Sequence, residues 1–336
     1  MRVMVTGANG FVGRLLVQRL LAMETLRGQP ISALLLLDKQ LHNLPQDSRL
    51  RCHYGSVTDI ALLRRVLADG IDVVFHLVSV PGGAAEHSYG LGYEVNLLAS
   101  LALLDQLREL PGAPVLVYAS SVAVYGGGLP ARMDEAAAVR PELSYGAHKL
   151  MVETVLSDLA RRGEVDGRAV RLPGIVARPR EPNGLRSAFM SDLLHAYANN
   201  EAYCCPVSAQ ASAWWMSARC CVDNLLHAAG LDGAQLDAAR VWQLPLLRLS
   251  IAQVIDALAA TYGKAARERI TFAPDTGLEA LFGCFPPMKT PKARALGFRH
   301  DGSAVALVRN ALNPLARVRR GRGAVHSAGA FAHESD

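Results

Sequence analysis

The sequence predicts an α/β fold, a doubly wound parallel sheet with a smaller mixed α/β substrate-binding region. Three observations predict it. Apolar runs of strand length recur with helical patterns between them, the runs read as buried strands, and the first strand-to-helix turn carries Gly7, Gly10 and Gly13. In order, Val3-Met4-Val5 reads as a strand, a helix runs from about Gly10 to Met23, and Ala33 to Leu37 forms a second strand ending at Asp38. That is a βαβ unit. The alternation continues through a strand from Leu50 to Tyr54, a helix opening at Asp59, a strand from Asp72 to Leu77, a long helix from about Tyr89 to Leu110 and a strand from Pro114 to Ala119. A helix from about Ser144 to Arg162 and a strand from Arg168 to Leu172 close the regular part. Two prolines and a glycine within Arg178-Pro179-Arg180-Glu181-Pro182-Asn183-Gly184 then make a loop that suits a substrate-facing segment. The expected division is a mainly dinucleotide-binding part over 1–175, a mainly substrate-binding part over 176–313 and a disordered tail over 314–336.

With 336 residues, 51% of them apolar, the chain buries a large core, which excludes disorder and a disulfide-stapled miniprotein. The net charge of +5 owes part to Arg317, Arg319, Arg320 and Arg322 near the end. No basic stripe interleaved with aromatics precedes them, so a nucleic-acid partner is not expected. The six cysteines, Cys52, Cys204-Cys205, Cys220-Cys221 and Cys284, include no C-x-x-C, so no metal site is expected. Met1-Arg2-Val3-Met4-Val5 reads as a strand rather than a leader, and the run Ala33 to Leu37 is far too short to cross a bilayer. A reduced, cytoplasmic protein with no membrane partner is the expectation.

The glycines in Val5-Thr6-Gly7-Ala8-Asn9-Gly10-Phe11-Val12-Gly13 lie between a strand and a helix, where bare backbone and helix N–H groups approach a diphosphate. This makes the first part a dinucleotide-binding fold of the Rossmann type. Asp38, 25 residues after Gly13, can accept from a ribose 2′-hydroxyl and repel a 2′-phosphate, which favours NAD over NADP; Lys39 beside it could tolerate phosphate. Tyr145 and Lys149, four residues apart, share a helical face. A tyrosine titrates near about 10, so base chemistry near neutrality needs the cation beside it. Ser120 and Ser121 stand where ligands bind such sheets, with no nucleophile elbow around them.

Thr6-Gly7-Ala8-Asn9-Gly10-Phe11-Val12-Gly13, Asp38, Phe75-His76-Leu77, Asn96, Ser121 and the Tyr145/Lys149 pair occur in the order of the extended short-chain dehydrogenase/reductases, which the chain resembles over residues 1 to 312. The resemblance implies Tyr145 as catalytic acid/base, Lys149 supporting it and binding the nicotinamide ribose, and Ser121 rather than Ser120 orienting substrate. It implies cofactor contacts from Leu77, Val78, Ser79 and Pro173, a bond from Asn96 to backbone near Lys149, and a homodimer. At the adenine, relatives carry an acidic residue where this chain has Ser56 and Val57. Where relatives acting on nucleotide sugars carry an Arg, seven positions before Asp223, Met216 stands here.

Val165 to Pro173, Val176 to Pro179 and Ala188-Phe189-Met190 are similar to the D-erythronate dehydrogenase group, which oxidises a four-carbon sugar acid at C2 with NAD. Its carboxylate needs a cation, with Arg219 the first candidate and Arg178 and Arg186 behind it. The expected reaction is therefore oxidation of D-erythronate to 2-dehydro-D-erythronate. The alternative enzyme is a nucleotide-sugar epimerase or dehydratase that retains NAD; a dinucleotide-binding sensor or scaffold is the alternative outside catalysis. His76 is expected to be structural and His148 to face away, while Trp214 and Trp215 are either core or pocket wall.

Overall fold

The computed structural model describes residues 1–180 and 186–315. Positions 181–185 of the expected loop and nearly all of the expected tail, from 316 on, lie outside the described residues.

The main sheet is built from β1 (Arg2–Thr6), β2 (Ala33–Asp38), β3 (Leu50–Tyr54), β4 (Val73–His76), β5 (Val115–Ser121), β6 (Asp166–Leu172) and, further on, Val241–Gln243. All its pairings are parallel, in the order β3-β2-β1-β4-β5-β6 followed by 241–243 at the edge. The seventh strand thus comes from well beyond residue 175. Side-chain alternation sorts the core: Val3, Val5, Leu34 and Leu36 pack on one face, while Met4, Leu35 and Leu37 pack on the other. Helix α1 (Phe11–Leu21) covers the first face with Leu16 and Leu20, and α2 (Ile60–Leu67) covers the second with Leu63 and Val66. Asp59 starts α2 by accepting from the Leu62 N–H at 3.0 Å.

The expected continuous helix over 89–110 is corrected. A π-helical segment, Tyr93–Leu98, separates the short helix Tyr89–Gly92 from α3 (Ala99–Arg108). Strand β5 also runs two residues further than expected, so Ser120 and Ser121 end the strand rather than follow it.

After α4 (Ser144–Arg161), the second region sets β7 (Gly174–Val176) beside β8 (Ser212–Ser217), with β9 (Leu247–Ser250) antiparallel to β8. Its core gathers Leu193, Leu194, Trp215, Val254, Leu258 and Leu307. Between β8 and β9 the chain returns to the main sheet through α5 (Ala218–Gly230), whose Leu225 joins the first-face core. Among the described residues, no helix is long and apolar enough to cross a membrane. Strand order reverses beside β1, so Gly7, Asp38, Leu77 and Ser121 converge at the carboxyl edge around one crevice.

Candidate active site

At the end of β1, Gly7 has φ +71°, and a Cβ there would lie 2.9 Å from the Val78 nitrogen. A Cβ on Gly13 would lie 2.1 Å from the Gly7 carbonyl oxygen. This turn therefore closes on backbone alone. Gly10 caps α1 without a side chain, leaving first-turn N–H groups to an anion. Asn9 fixes the far rim: its N–H donates to Asp38 Oδ2 at 2.9 Å, while Lys39 N–H donates to Oδ1 at 2.7 Å.

Gly7, Asp38, Lys39, Ser56, Val57, Val78 and Ser79 line one open cleft. Phe11, Val12 and Leu77 are half-buried nearby in sequence on α1 and after β4, and Pro173 is buried after β6. Glycines that any Cβ would jam, a helix N-terminus and a carboxylate at the strand end are the parts a dinucleotide requires, so these residues fit the group.

Tyr145 lies in the first turn of α4, half-buried, with the Gly82 position 3.7 Å from its Cβ when a Cβ is placed there. The Ser79 and Ser121 side chains act on its phenol. Burial raises the phenol above its ordinary value against the opposing pull of the Arg178 charge and those two serines. Lys149, one turn on, donates from Nζ to Ala119 O at 2.7 Å and stands 5.6 Å from the Tyr145 ring centre. Burial drags its ammonium down to about 7, with Glu153 opposing.

The two serines at the end of β5 face opposite ways, as alternation requires. Ser120 donates to buried Glu153, while Ser121, accepting from Ala123 N–H at 3.1 Å, reaches Tyr145.

His76 lies between Thr6 Oγ1 at 2.7 Å and Ser100 Oγ at 3.0 Å, and burial, then the Lys149 charge, lowers it to about 3. It is a neutral structural side chain. Asn96 corrects an expectation: it does not bond backbone near Lys149 but clamps Val80, accepting from its N–H at 2.7 Å and donating to its carbonyl at 3.0 Å. The clamp ties the π-helical segment to the chain just after Ser79. His148 is buried against the Tyr89 and Tyr93 rings, away from the cleft.

Among the candidate arginines, Arg178 is the one whose charge acts on Tyr145. Its guanidinium sits 5.4 Å over the Phe11 ring, and its backbone is pinned by Ser191 Oγ at 2.9 Å and His195 Nε2 at 2.8 Å. Arg219 is half-buried in the first turn of α5, and Arg186 is exposed in a turn. Trp214 and Trp215 are core, donating to Pro286 O at 2.7 Å and Leu249 O at 3.1 Å. Met216 is fully buried in the first-face core, so no cation stands at that position, and Asp223 pairs with Arg19 at 2.7 Å. Sequence reading missed the Ser120, Glu153 and Arg171 set and the action of Ser79 on the phenol. Both depend on contacts between distant segments, which leave no local periodicity.

The profile of the NAD dependent epimerase/dehydratase family matches residues 3–218. A D-erythronate dehydrogenase of Cupriavidus necator is 39% identical over 314 residues, covering 92% of this chain and 97% of that protein. One from Haemophilus influenzae is 32% identical over 305 residues, covering 90% and 96%. Among solved structures, a nucleoside-diphosphate-sugar epimerase from Agrobacterium tumefaciens superposes with a TM-score of 0.87 at 29% identity, covering 92% of this chain and 93% of that one.

Proposed function

The chain belongs to the NAD dependent epimerase/dehydratase family, and from that premise we propose that it oxidises D-erythronate to 2-dehydro-D-erythronate with NAD. It is an NAD-dependent oxidoreductase in which the observation that carries the substrate reading is Arg178, a pinned cation whose charge acts on Tyr145. A carboxylate held there sets the neighbouring C2 alcohol before the phenol. Ser121 steadies the alcohol oxygen, ionised Tyr145 takes its proton and becomes the neutral phenol, and the Lys149 ammonium stabilises the phenolate beforehand. A bound nicotinamide would supply the hydride acceptor. The glycine loop with Asn9, Phe11 and Val12 holds the diphosphate side. Asp38 would take the ribose hydroxyls, Ser56 and Val57 would lie toward the adenine, and Leu77, Val78, Ser79 and Pro173 toward the nicotinamide end. Arg186 and Arg219 stand behind Arg178 as carboxylate partners.

The test is NADH formation by purified protein with excess NAD over a panel of four- to six-carbon sugar acids, D-erythronate first. Turnover of that acid supports the reading. Silence across the panel, with NAD co-purifying, favours instead a nucleotide-sugar epimerase or dehydratase that retains NAD; the chain's Agrobacterium structural relative is named a nucleoside-diphosphate-sugar epimerase. The buried Met216, where those enzymes carry an arginine, speaks against that alternative. In the same assay Asp38→Asn is expected to narrow the NAD over NADP preference about tenfold, the effect of one lost charge contact near a phosphate. An unchanged ratio of efficiencies removes Asp38 from the ribose site.

A homodimer belongs to the same reading. Tyr89, Leu98, Met151 and Val155 are exposed on the adjacent helical segments over 89–108 and on α4, an apolar strip suited to a second copy. Sedimentation is expected to give twice the 36.0 kDa chain mass and to give that mass alone for Met151→Glu. A monomeric wild-type protein overturns the dimer. The six free thiols fit a cytoplasmic setting.

A further inference from the structure

Next to Tyr145 and Lys149 lies a buried charge network. Lys149 and Glu153 stand one turn apart on α4, each 2% exposed, and consecutive residues of β5 hold them. Ala119 O accepts from Lys149 Nζ at 2.7 Å, and Ser120 Oγ donates to Glu153 Oε1 at 2.5 Å. From β6, Arg171 grips both carboxylate oxygens, Nε to Oε1 at 3.0 Å and Nη2 to Oε2 at 2.8 Å. Its Nη1 donates to the Tyr125 hydroxyl at 3.2 Å. The carboxylate is thus paired with a guanidinium and bonded by a hydroxyl.

One helical turn puts that negative charge beside the ammonium, inside a poorly screened interior. Burial disfavours the charged form of Lys149, and Glu153 is the group that opposes it. Other titratable groups face it from each side. Tyr145 shares its helix, Tyr118 on β5 has its ring centre 4.7 Å from Nζ, and His76 comes from β4. Burial raises both phenols and keeps His76 neutral. Arg178 acts on Tyr145 from the substrate side, and Arg171 reaches Lys149 only across Glu153.

We propose that Glu153 is a positioning residue for the proton transfer, keeping Lys149 in the charged, donating form that the phenol needs, and that Arg171 limits how much of the carboxylate's charge reaches it. The proposal rests on the reading of Tyr145 and Lys149 given above, but the charge on Lys149 can be followed without turnover.

The chain contains five lysines, and Lys149 is the buried one. Carbon-13 lysine labelling of the full chain therefore gives a small set of side-chain signals, and the signal lost in Lys149→Met is followed against pH. Glu153→Gln removes the negative charge and leaves that of Arg171, so the Lys149 midpoint falls by about one to three pH units. Arg171→Gln frees the whole carboxylate charge, and the midpoint rises. The double variant, neutral again, returns toward the wild type. The basic limb of kcat/KM moves in the same directions, because the working lysine is the protonated one.

Unchanged midpoints in both single variants overturn the proposal, whatever the substrate proves to be. Equal loss of rate at every pH, with the limb fixed, also overturns it, since that marks a structural role. Moved midpoints without turnover of any sugar acid support the proposal and count against the substrate reading. If Glu153→Gln does not fold, the double variant is compared with Arg171→Gln, the pair again differing only at Glu153. A lower midpoint in the double variant supports the proposal, and an equal one overturns it.

Discussion

Tyr145→Phe is expected to lower kcat by about 10²–10⁴-fold while leaving the NAD dissociation constant within a few-fold of wild type, the range associated with losing one positioned proton-transfer group. The phenol is the group on which these side chains converge: Arg178, Ser79 and Ser121 each lower its proton affinity. Its burial raises the proton affinity, so without the surrounding cations little of it would be ionised and free to accept a proton near neutrality. Lys149 supplies the second positive charge, 5.6 Å from the ring centre. Phenylalanine keeps the ring that packs against Gly82 and removes only the hydroxyl, so the cofactor cleft between Gly7, Asp38 and Val78 stays intact. The measurements are single-turnover NADH absorbance for the chemical step and quenching of tryptophan fluorescence for NAD. A kcat within a few-fold of wild type would move the proton acceptor to another group. Equal losses in rate and NAD affinity would make Tyr145 a binding residue.

Much of this arrangement could be read before any coordinates were known, for a definite reason. Strands buried on both faces leave unbroken apolar runs, and a turn that closes on backbone demands glycine at Gly7 and Gly13, so both features are written locally. Tyr145 and Lys149 are legible because helical spacing alone puts them on one face. The rest depends on pairings between distant segments. Strand 241–243 joins the main sheet beside β6 after an excursion through the second region, and its three residues carry no sign of that register. Asn96 could be placed on a helix, but the π-helical turn that aims it at Val80 has no periodic signature. Trp214 and Trp215 look the same in sequence whether they wall a pocket or fill a core; their indole bonds to Pro286 and Leu249 decide for the core. Glu153 is a charge on a helix until Ser120 and Arg171 arrive from two other strands.

Arg178→Met is expected to reduce kcat/KM for sugar acids by about ten- to a hundredfold, from the roughly 1.5–3 kcal/mol that a hydrogen bond to a charged group contributes. The position is prepared for this role: its backbone is fixed by Ser191 and His195, and its guanidinium lies over the Phe11 ring. Partial burial there lowers the proton affinity of the guanidinium but leaves it charged, so it meets a carboxylate with little water to displace. Removing it also withdraws a charge that favours the ionised Tyr145, which raises the phenol further. The acidic limb of kcat/KM should therefore move to higher pH for every alcohol. The diagnostic quantity is thus the ratio of efficiencies for an acid and its neutral alcohol analogue at one pH, in which the common effect on Tyr145 cancels. That ratio should collapse in Arg178→Met and recover in part in Arg178→Lys, because an ammonium restores the charge without the two-pronged geometry. Equal losses for acid and neutral alcohol would leave Tyr145 as the sole beneficiary of Arg178 and send the carboxylate to Arg219, the remaining half-buried candidate on the first turn of α5.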